Sequence, residues 1–333
     1  MSSKESFQSS VAADMRDYIS LKQTLGCRFD TTSRILLRLD HFLCCPASPS
    51  TDLTEETFRL WGESMHSLSS TTKRGRMNVA RNFCLYRRRK NNTCFVPDPT
   101  QFPKASTPVQ PYIFCDVEIA RLLSYTDRIP DSVRSPLRQA ATRLAVVLLY
   151  TTGLRRGELL ALRADDYDRA TQTLLIRASK FHKSRFLPLP DDVAEEVEEF
   201  LKRHATARPA ITTDVPLLWN PYCGGRGYTG TWLRANLRIL FDLAGIRKSN
   251  GRPPRIHDFR FSFAVNTLVR WYRNGTDVGA KLPYLSAYMG HVSILSTFHY
   301  LRFIEPLAGL ASAAFRAHYG ALVEDQATDE EEA

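Results

Sequence analysis

The chain has 333 residues, 43% of them hydrophobic, which is enough for one large or two modest globular domains and too apolar for a disordered chain. Its formal net charge is +10, but the last ten residues, Glu324 to Ala333, hold six acids and no Lys or Arg, so the rest carries +16 and favours a polyanionic partner. The seven cysteines (Cys27, Cys44, Cys45, Cys84, Cys94, Cys115, Cys223) form no CxxC pair, and the longest apolar run, Leu144 to Tyr150, is too short to span a bilayer.

In chain order, residues 1 to about 12 are polar, with no apolar signal core, so a reducing, cytoplasmic setting and no membrane partner are expected. Helical periodicity then covers Ala13 to Leu25, ending at Gly26, and Thr32 to Phe42, where Ile35, Leu36, Leu39 and Phe42 share a face. After the turn Pro46-Ala47-Ser48-Pro49-Ser50, Thr54 caps a helix from Glu55 to His66. A fourth helix, Thr71 to about Lys90, holds Lys73, Arg74, Arg76, Arg81, Arg87, Arg88, Arg89 and Lys90 with no acid among them. Such a helix suits a DNA backbone or a major groove, or else is a solvated basic face. Between Asn91 and Pro111 five prolines break the periodicity, as in a stiff extended linker. The expected organisation is a helical domain over 13–95, a linker over 96–111, a larger domain over 112–322 and an acidic tail over 323–333.

The second domain opens with Asp116 as the cap of Val117 to Tyr125. Leu137, Ala140, Ala141, Leu144, Ala145 and Leu148 then mark a helix buried nearly all round and stopped by Gly153. Arg155 to Arg163 starts another. Gln172 to Ala178 and Arg185 to Leu189 are rich in β-formers and flank a hairpin turn, Ser179 to Ser184. Helices follow over Asp191 to Ala205 and Thr229 to Ala244, and the basic loop Asn250-Gly251-Arg252-Pro253-Pro254 leads to His257. His257 and Arg260, three apart, share one face at the start of a helix continued by Phe261 to Leu268. A cationic fork beside a proton donor suits a phosphate. Downstream, Gly290-His291 is followed nine residues after the histidine by Tyr300.

Five elements in this order resemble the tyrosine site-specific recombinases, the phage-integrase and Xer-like family. They are Thr152-Gly153-Leu154-Arg155 with Glu158, the hairpin Lys180, His257-Asp258-Phe259-Arg260, Gly290-His291 and Tyr300. The resemblance covers about residues 112 to 305 by motif, and 13 to 95 only by helix count and charge. It implies a mainly α protein. An N-terminal helical core-binding (SAM-like) domain would precede a mixed, mostly α catalytic domain with a small antiparallel β-sheet. It implies double-stranded DNA as partner, a homo-oligomer (a tetramer) on that DNA, and no cofactor. Arg155 and Arg260 would clamp the non-bridging oxygens, Tyr300 would attack phosphorus, and His257 would take its proton. Lys180, with Lys183 as its rival, would protonate the leaving oxygen, and His291 would bind the phosphate or brace the pocket. A 3′-phosphotyrosyl link would be the intermediate. The alternatives are a catalytically inactive DNA-binding regulator and a type IB topoisomerase-like strand relaxer.

Each residue also has a local role open to it. Arg155 could pair with Glu158, His257 could bond to backbone, His291 could be a core histidine, and Tyr284, Tyr288 and His299 compete with Tyr300. Two departures from the family pattern stand out: Phe261 follows Arg260 where many relatives have histidine, and Arg156-Gly157 replaces an apolar-small pair. Phe261 is expected to pack and Arg156 to add a phosphate contact. Beyond Tyr300, Leu307, Leu310, Ala311, Ala314 and Phe315 make an apolar stripe. It would dock on its own domain or on a neighbouring protomer. The tail could fold back as a phosphate mimic.

Overall fold

A computed structural model describes residues 6–27, 29–46, 48–104, 110–130, 132–177, 184–207, 215–220, 222, 226–291 and 293–301. Lys180 and Lys183, the apolar stripe from Leu307 and the acidic tail lie outside them. The chain divides into two compact units, Met1–Val109 and Gln110–Ala333. Among the described residues no helix is long and apolar enough to cross a membrane.

The first unit consists of α1 (Ala12–Thr24), α2 (Asp30–Leu43), α3 (Glu55–Ser64) and α4 (Ser70–Lys90). α3 starts where Thr54 accepts from the Thr57 amide and Thr57 in turn bonds the Thr54 amide, a reciprocal cap. The core gathers Met15, Tyr18, Leu36, Leu39, Phe58, Trp61, Met77 and Phe83. Asp40 is fully buried there and accepts from the backbone amides of Gln8 and Ser9 at 2.7 and 3.0 Å, which ties the N-terminal segment to α2. The first part of the proline-rich stretch packs on the first unit. Phe102 is buried against Phe58, Phe95 packs on the same ring, and Arg81 and Arg74 donate to the carbonyls of Pro97 and Pro103. Phe102 therefore belongs to the first unit's core, with Phe95 and Val96 packed against it.

The second unit is mostly helical: α5 (Asp116–Ser124), α6 (Arg138–Thr152), α7 (Arg156–Ala161), α8 (Asp191–Ala207), α9 (Gly230–Leu243), α10 (Ile256–Arg273), α11 (Val278–Met289) and α12 (Leu295–Leu301). A three-stranded antiparallel sheet, β1 (Tyr167–Asp168), β2 (Thr173–Ile176) and β3 (Arg185–Pro188), runs in that order, with Leu174 opposite Leu187 and Ile176 opposite Arg185. The mainly helical class with a small antiparallel sheet is thus the fold observed. α6 is the central helix, with Ala141, Leu144, Ala145, Val146, Leu148 and Leu149 all buried. Gly153 ends it in the left-handed conformation, at φ +62°. Cys115, rather than Asp116, stands at the N-cap of α5, and its amide donates to Glu118. α7 stops at Ala161, two residues short of the expected end, where Leu162 turns extended. A second apolar cluster joins α10, α11 and α12 through Ala264, Leu268, Leu282, Leu285, Met289 and Tyr300. That cluster brings the end of the described chain back onto the helix that carries His257 and Arg260.

Candidate active site

The site is built around the end of α11. The last carbonyls of a helix lack intrahelical partners and sit at the negative end of its dipole, so they attract cations. Here three consecutive carbonyls accept from three different arginines. Arg185 Nε donates to Tyr288 at 2.8 Å, an Arg260 nitrogen to Met289 at 2.8 Å, and an Arg155 nitrogen to Gly290 at 2.9 Å. Gly290 turns the chain at φ +67°. A side chain there would also be blocked, since a Cβ would stand 2.7 Å from the Arg185 guanidinium.

Arg260 lies in the first turn of α10 and is 1% exposed. It also donates to the Gly153 carbonyl at 2.6 Å and to His291 Nε2 at 2.8 Å. Burial lowers its pKa to about 10, with the charge of Arg155 acting the same way and Tyr300 and Glu158 opposing, so it stays a cation at neutral pH. The phenol of Tyr300 is thus close enough to act on this guanidinium.

Arg155 is the N-cap of α7. Its side chain donates to Glu158 Oε1 at 2.7 Å, and Glu158 Oε2 bonds back to the Arg155 amide at 3.0 Å. Both the local role and the convergent one are therefore real, since the same guanidinium reaches Gly290. Glu158 is also gripped by Arg185, at 3.2 and 3.0 Å. Burial pushes the Glu158 carboxyl up, but the hydrogen bonds from Arg185 and from the Arg155 amide outweigh it and hold the pKa below the ordinary carboxylate range.

His291 follows Gly290. Arginine only donates, so Nε2 of His291 accepts from Arg260, and Nδ1 carries the proton and donates to the buried Thr297 hydroxyl at 2.8 Å. Burial, then the charges of Arg260, Arg155 and Arg185, lower the His291 pKa to about 4, which keeps the ring neutral. His257 stands at the exposed rim, edge-on to Phe261 with ring centroids 5.2 Å apart. Partial burial of its inner edge, with Arg260 and Arg255 nearby, lowers its pKa too. Asp258 is fully buried between them and holds Arg255 and Lys248 at 2.8 Å each, which fixes the basic loop to the start of α10.

Tyr300 on α12 is 4% exposed, its ring stacked on His291 at 5.8 Å and edge-on to Phe261 at 5.0 Å. Phe261 therefore packs, as expected, and its ring touches both His257 and Tyr300. Of the rival residues, Tyr284 and Tyr288 turn their rings elsewhere. Tyr284 is 74% exposed, and Tyr288 stacks on Phe263 with its pKa pushed up to about 12 by burial. His299 touches Phe261 and Tyr300 from α12 itself.

Of the six catalytic candidates, Arg155, His257, Arg260, His291 and Tyr300 come together, and Lys180 lies outside the described residues. β2 ends at Ile176, and β3 begins at its partner Arg185, the residue that grips Glu158. Arg156 lines a cavity of about 530 Å³ beside His257, together with Arg234, Arg238 and Arg255, and no acid among the described residues lines it. Sequence reasoning did not single out Arg185 or Thr297. In the sequence Arg185 is one more cation after Lys180 and Lys183, and nothing in the spacing marks Thr297. Among the described residues no cluster of three or more His, Cys, Asp or Glu could hold a metal.

The basic helix of the first unit is less free than its composition suggests. Arg87, whose side chain is only 10% exposed, bonds Asp14 at 3.1 Å and Asp52 at 2.8 Å, and so holds α4 against the rest of the unit. Arg74 and Arg81 donate to backbone carbonyls, as noted, and Arg88 lies within reach of the Asn92 carbonyl while remaining exposed. The pKa of Arg76 is lowered by partial burial and by the like charge of Arg38.

Comparison with known proteins gives a consistent result. The family model described as "Phage integrase family" matches residues 116–304. A Sinorhizobium fredii protein named "Putative integrase/recombinase y4rB" is 32% identical over 293 residues, 86% of this chain and 91% of that one. Tyrosine recombinase XerD of Caulobacter vibrioides is 29% identical over 74% of this chain and 76% of its own length. Among solved structures, XerH site-specific recombinase bound to palindromic difH substrate, a post-cleavage complex, aligns with a TM-score of 0.62 at 20% identity. It covers 85% of this chain and 78% of that one. The Tn1549 transposon integrase in complex with transposon right end DNA gives 0.60 at 17% identity, covering 86% and 94%. At these identities the structures establish the shared fold.

Proposed function

We infer the reaction from one premise: the chain belongs to the phage integrase family, whose model matches more than half of it. It is a tyrosine recombinase, an enzyme of site-specific DNA recombination. In the mechanism we propose, the Tyr300 phenol oxygen attacks phosphorus in one strand and a 3′-phosphotyrosyl bond forms as the bond to the 5′-oxygen breaks. The phenol proton passes to His257, whose lowered pKa leaves it neutral and able to accept. Lys180 gives a proton to the leaving oxygen. Arg155 and Arg260 hold the non-bridging oxygens, where charge grows during displacement. The phosphotyrosyl bond keeps the energy of the bond it replaces. A 5′-hydroxyl of another strand can therefore reverse the step and complete the exchange without a nucleotide.

The observation that supports this most is the convergence on Arg260. That single buried guanidinium bonds His291 and is acted on by Tyr300, while Arg155 and Met289 meet it at the end of α11. DNA is the partner we propose for the cavity around Arg156, Arg234, Arg238 and Arg255. In the first unit Lys73, Arg76 and Arg88 would contact its backbone. A homo-oligomer, a tetramer on DNA, would let the stripe from Leu307 dock on a neighbour.

The test uses nicked duplexes with a randomised core. The full chain should trap a subset of them as an SDS-resistant adduct. Tyr300→Phe should bind the recovered duplex and form no adduct. An adduct at undiminished yield from Tyr300→Phe would remove Tyr300 from the mechanism.

A further inference from the structure

Arg185 is the one arginine at the end of α11 to which the mechanism above gives no part. Its side chain is 12% exposed, and its three nitrogens are turned inward: Nε to the Tyr288 carbonyl, and both terminal nitrogens to Glu158. Glu158 in turn is 7% exposed and also holds Arg155, which remains 30% exposed. The three side chains form a row of charges in which Glu158 and Arg185 are nearly buried and Arg155, the most exposed, faces the open side.

The charge count in this row decides what Arg155 can do. With Glu158 alone, Arg155 would be half of a neutral pair at 2.7 Å, and an approaching phosphate would meet little net charge. With Arg185 included the row carries one net positive charge, and the outermost member presents it. A buried carboxylate also repels a phosphate through a low-dielectric interior, where charges act more strongly than in water. The same residue secures geometry. Arg185 and Arg155 grip the carbonyls on either side of the one that Arg260 grips, so the chain from Tyr288 to Gly290 is held at three successive points.

We propose that Arg185 is a positioning residue for strand cleavage: it neutralises the Glu158 carboxylate, donating to both of its oxygens, so that Arg155 keeps a free charge for the phosphate, and it fixes the turn that carries His291. The close approach also gives Gly290 a second reason to be glycine, since any side chain there would strike Arg185. This inference rests on the recombinase mechanism above.

The experiment compares four full-length chains on the duplex recovered by the wild type: wild type, Arg185→Gln, Glu158→Gln and the double variant. Binding and single-turnover adduct formation are both measured. Arg185→Gln should bind within about threefold of wild type and form adduct about 100-fold more slowly, the scale of losing one preorganised charge-stabilising contact. Glu158→Gln in the same chain removes the charge that Arg185 balances, so the double variant should regain about tenfold or more. A wild-type rate in Arg185→Gln overturns the inference. So does a double variant no faster than Arg185→Gln, because a purely structural role would leave the losses additive. Should Arg185→Gln fail to fold, Arg185→Lys carries the test, since it keeps the charge without the fork. It should lose clearly less than about 100-fold, and a loss as large as that overturns the inference. No adduct from the wild type would instead sink the cleavage mechanism itself.

Discussion

Gly153→Ala tests whether the end of α6 sets the catalytic geometry. The perturbation is one methyl group. Gly153 has φ +62°, where an L-residue is strained by about 1–2 kcal/mol. Its new Cβ would lie 2.5 Å from a ring carbon of Phe263, so the two must separate by about 1 Å to reach ordinary contact. Phe263 is three residues beyond Arg260 on the same helix, and its ring stacks on Tyr288, whose carbonyl is held by Arg185. Neither neighbour yields without disturbing the site. Overpacking of this kind adds about 1–3 kcal/mol, for a total loss of about 2–5 kcal/mol. The same shift lengthens the 2.6 Å bond from Arg260 to the Gly153 carbonyl beyond hydrogen-bond range. A displacement of about 1 Å in a reacting constellation lowers the rate on the order of 100-fold. Thermal melting, duplex binding and single-turnover adduct formation on the recovered duplex measure the three effects. Binding should persist while stability and rate fall together. A variant with the wild-type melting temperature and the wild-type rate would refute the claim that Gly153 couples α6 to Arg260.

Two further outcomes follow from the neutral His291. Thr297→Val removes the acceptor of the Nδ1 proton inside the core, which should destabilise the chain by about 1–3 kcal/mol and slow adduct formation. Equal urea denaturation midpoints for the two chains would contradict this. The pH dependence has a definite sign. The His291 pKa is about 4 in the folded chain and about 6.5 when unfolded, so the unfolded state binds the extra proton between these values. Its contribution to stability is complete above pH 6.5 and is lost as pH falls through about 4, and His257 acts in the same direction. Arg260, Arg155, Arg185 and Glu158 face the ring; burial first, and then the three arginines, set the direction against Glu158. His291→Asn should therefore flatten the fall in melting temperature between pH 6.5 and 4. An unchanged slope, or a His291 imidazole that titrates near 6.5 by NMR, would show that the ring is not held neutral.

Much of this architecture was legible because its signals are local. The periodicity of Leu144, Ala145 and Leu148 locates α6, and Thr229 and Thr54 cap the helices they precede. The site was legible for a related reason: Arg155, His257, Arg260 and His291 all stand at helix ends, where backbone geometry ties a side chain to its position in the motif. What the sequence hides is partnership over distance. Arg87 looks like one more cation in a basic run, yet its partner Asp14 is 73 residues away. Phe102 looks like part of a spacer, yet Phe58 waits for it. Arg185 meets a carbonyl 103 residues downstream, and no local pattern encodes that meeting.

The order in which charges are bound explains why the site can be assembled before DNA arrives. Burying a guanidinium is unfavourable unless its donors are satisfied. Arg260 satisfies them with two backbone carbonyls and one neutral imidazole. None of these bonded partners carries a charge, so hydrogen bonding is met while the positive charge is not. Glu158, the carboxylate whose charge reaches Arg260, is occupied by Arg155 and Arg185 instead. The fold thus keeps a protonated cation at the root of α10 with its field uncancelled, and the transition state of phosphoryl transfer is the species best able to use it.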